Sequence, residues 1–67
     1  MKIDCEKLAE RVAELLPTIG VEVEQAGKIN IAEDRWLLDG WSLRFTKTIS
    51  FDEVTALVNR AINEQLS

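Results

Sequence analysis

Neither histidine nor tyrosine occurs in this chain of 67 residues. Without histidine the commonest general base and metal ligand is missing, and neither a Ser-His-Asp nor a Cys-His relay can be assembled. Cys5 is the only cysteine, which excludes an intramolecular disulfide and any Cys/His zinc pattern. The three glycines stand singly, so there is no Gly-rich phosphate loop. There is one proline, no low-complexity tract and no internal repeat. No apolar run exceeds three residues, too short to span a membrane. Asp4 and Glu6 stand where a secretory leader carries basic and then apolar residues, and a reducing cytoplasm is the expected location. Positive charge is also short: 8 Lys and Arg face 12 Asp and Glu, a net charge of −4. That balance opposes phosphate-driven binding to nucleic acid and attachment to an anionic membrane. It suits solubility, or a partner with a basic surface.

What remains is the composition of a small globular domain, 46% hydrophobic and 30% charged, read as one unit over 1–67. Asp4 reads as an N-cap for a helix from Cys5 to about Leu16, with Ile3 and Leu8 as a hydrophobic staple. Cys5, Leu8, Val12, Leu15 and Leu16 form its apolar stripe, and Pro17 stops it. Ser50-Phe51-Asp52-Glu53 is a capping box for a second helix running to near Gln65, with Phe51, Val54, Leu57, Val58, Ala61 and Ile62 as its buried stripe.

Between the helices the pattern alternates. Asp39-Gly40 between two alternating segments is a strong hairpin signal. It sets Trp36 opposite Leu43 and Arg35 opposite Arg44. Trp36, Leu38, Trp41, Leu43 and Phe45 then share an apolar face, with Arg35, Leu37, Ser42 and Arg44 on the other. Upstream, a loop at Gln25-Ala26-Gly27 pairs Val23 with Ile29 and sets Glu24 opposite Lys28. The inward phase is odd at Ile29 and Ile31 but even at Trp36 and Leu38, which calls for a bulge or short loop at Glu33-Asp34. The expected fold is α+β, in the order α-β-β-β-α. It has a three-stranded antiparallel meander and both helices on one sheet face.

This order resembles the double-stranded RNA-binding domain fold, shared by HicA-type toxin ribonucleases. The resemblance implies a topology. Where RNA-binding members carry a lysine cluster at the start of the second helix, this chain has Ser50-Phe51-Asp52-Glu53, of opposite charge, and the toxins' sheet histidine has no counterpart. RNA binding and nuclease activity are therefore not implied.

No catalytic, cofactor-binding or metal-binding set emerges, so the expectation is a non-enzyme without cofactor. Cys5 reads as a packed residue of the apolar stripe. The strand acids read as partners for basic residues, and Glu33-Asp34 as solvated acids. The leading reading is a protein–protein interaction module, of the kind that inhibits or adapts a partner with a basic surface. Its acidic contacts would be Glu10, Glu14 and Glu64, and Trp41 beside the turn is the better aromatic anchor. The alternatives are nucleic-acid binding through Lys28, Arg35, Arg44 and Lys47 on the open sheet face, or a homodimer through an exposed strand edge.

Overall fold

The computed structural model describes residues 3–33 and 35–67. Its elements are α1 (Cys5–Leu15), a 3-10 turn (Leu16–Ile19), β1 (Val21–Gln25), β2 (Lys28–Ala32), β3 (Arg35–Asp39), β4 (Ser42–Phe45) and α2 (Phe51–Leu66). The class is α+β, with a helix at each end and antiparallel strands between.

Both helices start where their caps dictate. Asp4 Oδ1 accepts from the backbone N–H groups of Glu6 at 3.1 Å and Lys7 at 3.2 Å. Ser50 Oγ accepts from Glu53 N while Glu53 Oε2 accepts from Ser50 N, both at 3.3 Å. These bonds satisfy N–H groups that have no partner inside the helix. Pro17 ends α1 through a tightened turn, which closes on Gly20 at φ +89.

The strands pair differently from the meander. β2 pairs with β3, with Ala32 opposite Arg35, Ile31 opposite Trp36 and Ile29 opposite Leu38. β1 pairs with β4, with Val21 opposite Phe45, Glu22 opposite Arg44 and Val23 opposite Leu43. The chain therefore reverses between Ala32 and Arg35, and Asp39-Gly40 is not a hairpin turn. The two sheets follow one another as a long antiparallel ribbon, with a register shift between Val23 and Gln25. The phase inversion across Glu33-Asp34 has a simple cause. A two-residue reversal sets odd positions opposite even ones, so Ile29 and Ile31 share a face with Leu38 and Trp36 without a bulge. Glu33 takes a left-handed φ of +57 to begin the reversal; its neighbour Asp34 lies outside the described residues. Among the described residues the strands form two two-stranded sheets, not the three-stranded sheet of the RNA-binding fold.

Gly27 and Gly40 serve the point where the ribbon's two arms cross. A Cβ on Gly27 would lie 2.1 Å from Asp39 O and 2.6 Å from Gly40 C, so only glycine admits the backbone contact. Gly40 turns the corner at φ +78. Two side chains fasten the crossing: Gln25 Nε2 donates to Gly40 O at 3.2 Å, and Trp41 Nε1 donates to Lys28 O at 2.8 Å.

The faces fall as the alternation requires, because antiparallel partners share a face whichever strands pair. Trp36, Leu38 and Leu43 pack against the core, and Arg35, Leu37, Ser42 and Arg44 are exposed. Phe45 shares the apolar face yet stays half exposed, because β4 ends there. Phe51 departs from its expected burial and is 77% exposed. As the first residue of α2 it lies beyond the helix's contact with the core.

One core holds the molecule together. Leu8, Val12 and Leu16 meet Val21 and Ile29 of the strands and Leu57, Val58 and Ala61 of α2. α1 lies against β2 on one side and α2 on the other. The helices are also tied by exposed polar contacts. Arg11 Nε and Nη2 donate to Glu64 Oε1 and Oε2 at 2.8 and 3.3 Å. Gln65 bonds the backbone of Asp4 through both ends of its amide, at 2.8 and 3.0 Å.

Candidate functional site: a groove between the first helix and a strand edge

The cations expected on the open sheet face are spread along the ribbon. Arg44 forms an ion pair with Glu22 at 3.2 Å, as local neutralisation requires. Arg35 stands at the reversal opposite Ala32, not opposite Arg44. Lys28 faces Asp39 across the ladder, not Glu24, and Glu24 accepts a long bond from Ser42 Oγ at 3.5 Å. Trp41 is half buried, and its indole N–H is engaged in the crossing. Glu64 is held by Arg11, with Arg60 at 3.8 Å. The hydrogen bond from Arg11 holds the Glu64 carboxyl below the ordinary carboxylate range, and the same bond raises the Arg11 guanidinium.

Glu10 and Glu14 are brought to one place. Between α1 and β2 lies an open groove of about 840 Å³. Its helix wall is one continuous face: Cys5, Ala9 and Ala13 toward the floor, and Glu6, Glu10 and Glu14 beside them. The spacing i, i+4, i+8 stacks the three acids in a row along α1. Its strand wall is residues 26–31 without a gap. A strand that presented a sheet face would line a groove with every second residue. Consecutive lining means that β2 offers its backbone edge. Glu14 has Arg11 within 3.8 Å, and among the described residues Lys28 is the one cation in the groove lining.

The hydrogen-bond phase of that edge follows from the reversal. A pair that closes a two-residue turn exchanges both its backbone bonds, and the alternation then runs along the ladder. Ala32, Asn30 and Lys28 are thus bonded to β3. Ile29 and Ile31 direct their N–H and C=O groups outward, into the groove. Among the described residues no loop, cap or side chain bonds them. The Ile29 side chain is buried beneath α1, and Ile31 is partly open.

Cys5 is exposed at the groove's end, contrary to its expected packing. The Asp4 cap sets the helix phase, and this phase turns Leu8 and Val12 inward and leaves position 5 on the flank. Among the described residues no three acidic or thiol groups converge to hold a metal ion, and no helix is long and apolar enough to cross a membrane. The groove is a candidate site that reading the residues alone missed. Its signal was the row Glu6, Glu10, Glu14 beside the small residues Cys5, Ala9 and Ala13, visible only once α1 is placed against β2. No protein-family model, curated protein or solved structure matches this chain.

Proposed function

We propose that this protein is an interaction module which binds a basic segment of another protein in the groove between α1 and β2. The observation that carries the reading is the joining of three features in one cleft: an open strand edge, a floor of small side chains and a row of three acids. The small residues leave room for long side chains. The acids set the sign of the charge those side chains carry. An aliphatic stem lying on Ala9 and Ala13 with its cation at Glu10 or Glu14 uses both parts of the wall. The net charge of −4 adds a long-range pull on a basic partner.

The test is affinity capture from host lysate with and without nuclease, repeated with Glu10→Lys and with Glu24→Lys. The second variant makes the same charge change on β1, away from the groove. Both positions are exposed, so both variants are expected to fold, as circular dichroism will verify. A nuclease-resistant partner lost at least tenfold with Glu10→Lys and retained with Glu24→Lys is the expected result. Equal loss in both variants would reduce the interaction to net charge, and nuclease-sensitive capture would move the site to the ribbon's cations.

A further inference from the structure

The groove constrains the shape of its occupant as well as its charge. This step rests on the reading of the groove as a binding site. We infer that the occupant is an extended segment that adds as a strand to the free edge of β2, with Lys or Arg at every second position. Strand addition is a general mode of peptide recognition: main-chain bonds give affinity, and alternate side chains give selectivity.

Two periodicities on the two walls meet in this cleft. Glu6, Glu10 and Glu14 are spaced by four residues on a helix, which places successive acids about 6 Å apart along its axis. Alternate residues of a strand are about 6.8 Å apart. The two repeats are close enough that a strand running along α1 beside β2 keeps step with the three acids. Each side chain turned toward α1 meets one small residue and one carboxylate. A helix in the same place would leave the N–H and C=O groups of Ile29 and Ile31 without partners, since its own are used internally. An extended chain supplies those partners and leaves its intervening side chains facing solvent.

A second copy of this chain is the competing occupant, because open edges pair readily. Antiparallel pairing of β2 with its symmetry mate places the two-fold axis perpendicular to the sheet. Both copies of α1 then lie over the same face of the seam. The groove would have to hold a second helix, and two rows of three glutamates would confront one another. Like charges so placed repel, so the edge that invites a strand rejects its own.

The probes are three end-capped heptapeptides made of threonine and arginine, titrated into the full-length protein. The first alternates Thr and Arg and carries three Arg. The second has the same composition with its arginines in one block. The third is the alternating peptide with N-methyl groups on alternate backbone nitrogens, made in both phases. Binding is read from retarded alkylation of Cys5 and from exchange of the Ile29 and Ile31 amides. The expected outcome is that the alternating peptide binds at least tenfold tighter than the block peptide. One phase of N-methylation abolishes that advantage, and the Ile29 and Ile31 amides become protected by at least tenfold. Equal binding by alternating and block peptides, with no protection of those amides, overturns strand addition but leaves the acidic groove as a binding site. Failure of every peptide to slow alkylation at low salt overturns the groove reading as well, and concentration-dependent dimerisation would assign the edge to a second copy.

Discussion

Gly27→Ala separates the ribbon from the meander more sharply than any other single change. In the ribbon, Gly27 lies against the backbone of Asp39 and Gly40, and an added methyl there would fall 2.1 Å from Asp39 O and 2.6 Å from Gly40 C. Neither atom belongs to a side chain that can swing aside, so the two arms must part and strain the bonds from Gln25 to Gly40 and from Trp41 to Lys28. Overpacking against fixed neighbours costs about 1–3 kcal/mol, and the upper end applies where the neighbour is backbone. Gly40→Ala makes an instructive contrast. Its Cβ would meet only Gly27 Cα, at 3.9 Å, so its cost is the left-handed φ of +78 alone, about 1–2 kcal/mol. A chain of this size is stable by about 3–10 kcal/mol. Gly27→Ala should therefore lower Tm by about 12–24 °C, at about 4–8 °C per kcal/mol, and Gly40→Ala by roughly half of that. Urea unfolding followed by tryptophan fluorescence gives both values on one scale. A Gly40→Ala cost exceeding that of Gly27→Ala by 1 kcal/mol or more would refute the crossing and restore Asp39-Gly40 as a hairpin turn.

Other outcomes follow from single sites. Thr55 Oγ1 is buried without a hydrogen-bond partner, so Thr55→Val, of the same shape, should stabilise by about 1 kcal/mol in the same assay; destabilisation would mean that the hydroxyl is satisfied. Glu64 has a lowered pKa when folded, so its contribution is present above the ordinary carboxylate range and lost as pH falls through its folded value. The Tm difference between wild type and Glu64→Gln should thus shrink steadily below about pH 4.5, and a difference independent of pH would remove the Arg11 pair as its source. The exposed Cys5 thiol should be alkylated in native buffer at nearly the rate found in urea, whereas burial would slow it by orders of magnitude. Glu6, Glu10 and Glu14 changed together to Gln should promote self-association through β2, seen as a rise in mass by light scattering; a strict monomer would show that repulsion is not what guards the edge.

Caps, helix spans and strand faces were legible because each is set within a few residues. Asp4, Ser50 and Glu53 act through atoms two or three positions away, and the parity of Trp36, Leu38 and Leu43 fixes their face whichever strand lies beside them. Strand pairing was not legible from the strongest local signal. Asp39-Gly40 has the left-handed capacity of a turn, but the chain uses it to pass a crossing whose other half is Gly27, thirteen positions earlier. The deciding clue was weaker and less local. Ile29 and Ile31 are odd, Trp36 and Leu38 are even, and a direct reversal between them needs no bulge. Economy of irregularity, applied to the whole ribbon, favours the observed pairing over a signal drawn from two residues.

The groove shows why an acidic tally could not reveal a site. Along α1 and its cap, Asp4, Glu6, Glu10 and Glu14 face only Lys7 and Arg11, and Arg11 is drawn to Glu14 and to Glu64 of α2. What distinguishes Glu6, Glu10 and Glu14 is the strand edge they overlook, and that edge exists because β2 pairs on one side only. In the meander β2 would be the middle strand, with both edges filled and nothing to receive a partner. The pairing that replaced the expected meander within the α+β fold is thus the one that opens the groove. On the proposed reading, the acids that line it discourage the chain's own edge from joining another copy, by the same charge that would draw a basic strand in.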